Sequence, residues 1–330
     1  MEERKRLIPE EAIPFEEAEV RQIDGEPVLF SSEAMFTFYR RARGEFTRYF
    51  LGLRDEFAIW GRRCQGCGVV RVPPFMEYCP ECDFQPMEWV EVGDTGALLH
   101  TPPVTYFPTS LFYHAFPYGR GRCQLRGADT ALSVTIYSTQ GIIRPGYLRR
   151  GMELKVVFRK ERIGLASDIF TVPCQELTEE QIRKKGLLET ELVWEQAAPE
   201  VPEGTDEERQ AFQQSLKSIE AMVGQINAVE RARQDLKDWD RVIQVRTPGG
   251  CCVIRIQDGA LHVAPGENPR PNFTMTGNIE EIERGLGYQG SLTHAIISGR
   301  LWISVNQEFV TVFKMERAAR SLARSKNSRG

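Results

Sequence analysis

A chain of 330 residues with 41% hydrophobic and 27% charged residues carries enough apolar material for two or three separate cores. Its formal net charge of -4 argues against a general nucleic-acid binder, which needs a basic field. The opening MEERKRLIPEEAIPFEEAEV lacks the apolar stretch of a secretory signal, and no apolar run is long enough to span a bilayer. A cytoplasmic protein with reduced cysteines and no membrane span is therefore expected.

Residues 1–60 read as an N-terminal helical segment. Met35, Tyr39, Phe46, Tyr49, Phe50 and Leu53 fall near helical spacing. Eight aromatics crowd the 25 residues from Phe36 to Trp60, and that excess has to pack somewhere. Burial against the next domain would account for it. So would a partner interface built on Phe38, Tyr39, Phe46, Tyr49 and Phe50, because aromatics beside arginines mark interface anchors.

Residues 61–88 hold four of the chain's eight cysteines as two Cys-x-x-Cys pairs, Cys64/Cys67 and Cys79/Cys82. In a reducing compartment such pairs point to metal. Each tight turn sets two thiolates on one edge of the ion, and two turns close a tetrahedral Cys₄ zinc site. Gly66 and Gly68 free the first turn, Pro80 stiffens the second, and VVRVPPFMEY between them has the content of a short hairpin. Four thiolates leave no place for water, so the zinc is structural and supplies folding energy to a stretch too short to build a core.

Residues 89–175 break into short strands near EWVEV, TGALLHTPPVTYF, RCQLRG, LSVTIYS, MELKVVF and ASDIFTV, punctuated by glycines and without helices between them. Five or six such strands predict an OB-type β-barrel. Arg120, Arg122 and Arg126 lie within it, but no basic stripe alternates with aromatics, so a nucleic-acid module ranks third among the functional readings. Residues 176–208 form an acidic linker interrupted by Pro199, Pro202 and Gly204.

Residues 209–330 start a further domain. Phe212, Leu216, Ile219, Val223, Ile226 and Val229 make one helical stripe. Strands follow at RVIQVRT, CCVIRIQ and ALHVA, with Asp258-Gly259 as a hairpin turn, then PNFTMTG and GRLWISV, with helices at GNIEEIERGL, SLTHAIIS and 307–323. The whole is a multi-domain chain: a rubredoxin-like zinc ribbon plus an OB-type β-barrel, followed by an α+β domain.

The ribbon residues Cys64, Cys67, Gly68, Pro73, Pro74, Cys79, Pro80 and Cys82, followed by a barrel, resemble the zinc-ribbon/OB proteins associated with acyl-CoA enzymes over residues 30–175. That resemblance implies a non-catalytic partner subunit of a thiolase-like enzyme. Such a subunit helps shape the acyl-CoA site while the partner supplies the catalytic cysteine. In its most specific form the partner is a thiolase of the benzoylsuccinyl-CoA type, cleaving an aromatic β-oxoacyl-CoA. It also makes Arg62, Arg63 and Arg71 candidates for the CoA phosphates.

Asp258-Gly259, Asn272–Thr276 and Gly299–Ile303 resemble the sterol carrier protein family over residues 210–325. That fold implies a lipid tunnel, for which Met275, Ile282, Leu286, Ile296, Leu301 and Ile303 are the candidate walls; plain core residues would show the same pattern. The family's fusion to thiolases again implies acyl-CoA chemistry. A stand-alone lipid or acyl-CoA carrier is the alternative function.

No familiar nucleophile signature surrounds Cys123, Cys174, Cys251 or Cys252. Cys123, Cys251 and Cys252 lie in predicted strands and read as small apolar residues. His114 is the sole histidine in a long aromatic loop, which is weak support for a base.

Overall fold

The computed structural model describes residues 17–23, 25–32, 42–106, 117–194 and 198–327. They fall into two compact units, one of residues 42–106 with 117–194, the other of residues 17–32 with 198–327.

The N-terminal segment departs from the helical expectation. β1 (Glu17–Ile23) and β2 (Glu26–Ser32) pair antiparallel, from Glu17 opposite Ser32 to Ile23 opposite Glu26. The sequence signal was Asp24-Gly25 between two runs containing Val, Ile, Leu and Phe, a pattern that favours a tight hairpin. Among the described residues helix appears further on, as the short α1 (Thr47–Leu51) and a wider π-helical turn at Gly52–Glu56, which Phe57 ends in a left-handed conformation (φ 53).

The ribbon is a three-stranded sheet of β3 (Ile59–Cys64), β4 (Val70–Arg71) and β5 (Met87–Val92), with β3 in the middle. The sheet thus begins before residue 61 and ends after residue 88. Only β4 of the expected hairpin forms between the cysteine pairs, since Pro73 and Pro74 have no N–H to offer a ladder.

The barrel uses β6 (Thr95–Leu98), β7 (Val104–Thr105), β8 (Tyr118–Leu125), β9 (Leu132–Ile136), β10 (Glu153–Phe158) and β11 (Ile169–Pro173). The ring runs β6-β10-β11-β9-β8 and closes through β8 onto β6, while β7 adds to β8. All neighbours in the ring are antiparallel except β9 and β11, which meet in parallel at Ile136 and Thr171. A closed five-stranded ring fits the OB-type expectation. Along β8 the faces alternate, with Gly119, Gly121, Cys123 and Leu125 buried and Arg120, Arg122 and Gln124 exposed.

Ribbon and barrel share one core. Tyr49, Phe50, Leu53, Ile59, Val70, Val72 and Val92 pack in a single cluster with Leu98, Leu125, Ile136, Leu154, Val156 and Phe158 of the barrel.

The first half of the acidic linker is folded onto the barrel. Leu187 and Leu192 are buried with Val157, Phe170 and Val172. The fully buried Lys155 on β10 reaches Asp94 Oδ2 at 2.8 Å and donates to the carbonyls of Ile182 and Lys184 at 2.8 and 2.7 Å. These carbonyls sit at the end of α2 (Glu179–Arg183), whose N-cap Thr178 pairs reciprocally with Gln181. The surface charge of this stretch hid the leucines and the backbone acceptors that tie it down.

In the second unit α3 (Asp206–Asn227) starts at a capping box between Thr205 and Glu208 and buries Phe212, Leu216, Ile219, Val223 and Ile226. The short α4 (Glu230–Leu236) follows. The sheet has the order β14-β13-β12-β15-β16, formed by β12 (Arg241–Thr247), β13 (Gly250–Gln257), β14 (Ala260–Pro265), β15 (Phe273–Gly277) and β16 (Leu301–Ile303). β12 and β15 are parallel and the rest antiparallel. The hairpin turn is Asp258-Gly259, both with positive φ (52 and 72). α5 (Ile279–Leu286), α6 (Leu292–Ile297) and α7 (Phe309–Asn327) complete a layout that fits the α+β, sterol-carrier-like expectation. Among the described residues no helix is long and apolar enough to cross a membrane.

Removing the Lys155 amine takes the cation from Asp94 and the donor from the carbonyls of Ile182 and Lys184. Lys155→Ala is expected to cost about 3–5 kcal/mol in urea unfolding, whereas Lys155→Met, which keeps the stem, costs less.

Candidate metal centre

The two cysteine pairs converge at the open end of the ribbon sheet. Cys64 closes β3, and Cys67 follows in a turn held by Gly68 N–H to Cys64 O (3.0 Å). The second turn is built the same way, with Phe84 N–H to Cys79 O (3.1 Å) and Gln85 N–H to Cys82 O (3.0 Å). Gln65 N–H donates to Pro86 O across the gap at 3.1 Å, so the two turns face each other.

The sulfurs of Cys64, Cys67 and Cys82 all lie within 4.8 Å of one another. Cys79 Sγ stands 3.8 Å from Cys67 Sγ, which brings the fourth thiol alongside. All four are free thiols. The N–H groups of Gly66 and Cys67 point at Cys64 Sγ from 3.3 and 3.4 Å. The Cys67 N–H, joined by that of Gly66, draws the Cys64 thiol down to about 7, while burial pushes Cys79 and Cys82 up. The Gly66 position admits no side chain, since a Cβ there would meet Cys82 Sγ at 2.5 Å.

A soft all-sulfur donor set with backbone N–H groups already stabilising one thiolate fits zinc. Cys64, Cys67, Cys79 and Cys82 would hold it, and the ion would supply cross-linking of the two turns. A bound cation also reverses the burial penalty on Cys79 and Cys82, because a coordinating thiol is deprotonated.

The candidate phosphate arginines sit differently from one another. Arg62 is 5% exposed and donates to Met76 O and Glu45 O at 3.0 and 3.1 Å. Its guanidinium lies 4.5 Å from the Trp89 ring centre, so it braces the ribbon from inside. Arg71 is ion-paired with Glu81 at 2.8 Å, which holds its charge on the second cysteine turn. Only Arg63 is exposed.

Among the interface candidates, Tyr49 and Phe50 are core residues at 1% and 6% exposure, and half-buried Phe46 packs edge-on to Phe75. Phe38 and Tyr39 lie outside the described residues, as does His114. Arg43 and Arg48 cover the rings of Phe50 and Trp60 at 4.1 and 3.8 Å. Four large apolar residues that the sequence reading passed over, Phe75, Met76, Tyr78 and Phe84, are exposed together on the ribbon, while others such as Val20, Leu29, Ile163 and Val193 are exposed elsewhere. The signal available was a run of large apolar residues in a segment with too little chain to cover them.

In the second unit Met275, Ile282, Leu286, Ile296, Leu301 and Ile303 are all buried, none above 3% exposure. Burial pushes the thiols outside the ribbon up, Cys123 and Cys252 to about 12 and Cys174 to about 11, and Cys251 in the same direction.

No family model matches the chain, and no curated protein matches it. Solved structures match in parts. A DUF35-family protein of unknown function from Sulfolobus solfataricus aligns at 20% identity and TM-score 0.30, over 39% of this chain and 86% of its own. The Ltp2-ChsH2(DUF35) aldolase aligns at 20% identity and TM-score 0.31, over 41% of this chain and 99% of its own. The sterol carrier protein domain 2 of Helicoverpa armigera aligns at 21% identity and TM-score 0.26, over 36% of this chain and 94% of its own. These likenesses are partial and carry nothing about activity.

Two measurements check the centre. Metal analysis should find one zinc per chain, lost on Cys82→Ser and released progressively on acidification as protons compete for the thiolates. Gly66→Ala, which displaces Cys82 Sγ, should weaken zinc by about 10–100-fold in chelator competition.

Proposed function

We propose that this chain is a non-catalytic, zinc-holding subunit of a thiolase or acyltransferase complex, helping to bind or position acyl-CoA while the partner cleaves a β-oxoacyl-CoA. The observation that carries this reading is the ribbon surface. Phe75, Met76, Tyr78 and Phe84 are 48%, 44%, 55% and 70% exposed within one short segment, on a scaffold whose core is continuous with the barrel. Exposed large apolar side chains on a rigid support are the raw material of an interface.

The thiols support placing the chemistry on the partner. A thiolase nucleophile needs a thiolate beside a base. Here the four ribbon sulfurs converge on one candidate metal centre, and burial pushes the other four thiols up, away from the thiolate. The dense packing of the six candidate tunnel residues supports a scaffold role for the second unit over a free carrier. The aromatic β-oxoacyl-CoA, of the benzoylsuccinyl-CoA kind, is the most specific form of the substrate and rests on the sequence resemblance.

Purified from its native source, the chain should co-elute with a thiolase-type subunit, and thiolytic turnover should need both. Zinc removal should end assembly and turnover together. Full activity from the chain alone, or elution without such a partner, overturns the reading. Tyr78→Glu with Phe84→Glu should weaken assembly by about tenfold or more while zinc content stays at that of the unaltered chain.

A further inference from the structure

A second concave site lies on the barrel, away from the cysteines. Its volume is ≈ 580 Å³, and Arg120, Arg122, His100, Ser133, Thr135 and Ser167 supply its polar lining. Among its described lining residues there is no Asp or Glu. In a chain with net charge -4, this is a local inversion of sign.

The register builds it. Arg120 is paired with Thr135 and Arg122 with Ser133 across β8 and β9. Both arginines stand on the outward face of β8, alternate with buried Gly119, Gly121 and Cys123, and are exposed. Residues two apart on a strand put their side chains about 7 Å apart on one face. Among the described residues neither arginine forms an ion pair. Two guanidinium groups on one face at that spacing can both reach a single polyanion. His100 is brought to the rim by Leu99 N–H donating to Arg122 O at 2.9 Å.

The far wall is fixed. Asp168 is buried, and its Oδ2 accepts the N–H groups of Ile163, Gly164 and Leu165 at 3.0, 2.6 and 3.0 Å. That anchors the loop carrying Ser167, whose carbonyl also accepts from Arg159 Nε at 3.0 Å. The groove is thus preformed, with guanidinium forks on one side and hydroxyls opposite them.

We propose that this groove binds a phosphoanion of the pyrophosphate kind found in nucleotide-derived cofactors. Planar guanidinium forks donate two N–H bonds each to phosphoryl oxygens, and the facing Ser133 and Thr135 hydroxyls donate to the remaining ones. The link to acyl-CoA rests on the function proposed above, while the anion site itself does not. It also replaces Arg62 and Arg71, which the structure engages elsewhere, with two arginines that form no ion pair among the described residues.

Calorimetric titration of the full chain with inorganic pyrophosphate at low salt tests the site. One saturable site is expected, weakened about tenfold or more in Arg120→Gln/Arg122→Gln and kept in Arg126→Gln, which lies outside the groove. Both variants should melt with the unaltered chain, because the exchanged side chains are exposed. No binding, or equal binding by the double variant, overturns the proposal. Tighter binding of a short oligo-dT with a steep salt dependence also overturns it, in favour of a nucleic-acid surface. Displacement of pyrophosphate by free CoA supports the site and assigns it to acyl-CoA. Pyrophosphate binding that CoA does not displace supports the anion site while counting against acyl-CoA there, whatever the assembly experiment returns.

Discussion

Beside their shared core, ribbon and barrel are joined by a hydrogen-bonded seam three residues long. Val70 N–H donates to Asp129 Oδ2 and Asp129 N–H returns to Val70 O, both at 2.8 Å. Val72 N–H donates to the Thr130 hydroxyl at 2.7 Å, and that hydroxyl donates to Val72 O at 2.9 Å. The ribbon strand therefore satisfies its outer edge with a barrel loop, as an added strand would, while Val70 and Val72 bury their side chains in the common core. A metal-pinned ribbon on a loose tether would present its exposed aromatics in many orientations. Fixed by this seam, it presents them in one.

The cysteine pairs were legible because ligand chemistry dictates their spacing and little else in a short chain does. The barrel strands were legible from glycine-bounded β-branched runs, and α3 from one apolar stripe. What failed was local reading of residues whose role is set from afar. The segment before Leu192 carries enough charge to pass for linker, yet Lys155 captures it with bonds to carbonyls that no pattern of side chains announces. Arg62 reads as a surface cation until Trp89, Met76 and Glu45 close around it. The β1–β2 hairpin is a different kind of miss. Its Asp24-Gly25 signal was local and present, and the aromatic spacing downstream overrode it.

Charge is spent in two distinct ways across the first unit. Arg43, Arg48 and Arg62 lie over aromatic rings, where the cation gains from the π-face and shields apolar surface from water. Asp168 and Lys155 sit inside and neutralise strings of backbone groups that loops would otherwise leave bare. Arg120 and Arg122 belong to neither class: they cover no ring and pair with no acid among the described residues.

The cysteines divide along the same line. A thiol becomes a metal ligand or a nucleophile only where its thiolate is favoured, and backbone N–H groups favour it at Cys64. Cys123 and Cys252 are fully buried in strands, where desolvation holds the proton and the sulfur packs as a small apolar group. A soft cation entering this chain thus meets four converging sulfurs at one place and no competing thiolate elsewhere. The one thiol that backbone N–H groups favour as a thiolate, Cys64, lies inside the sulfur cluster, and the thiols outside it are pushed the other way by burial.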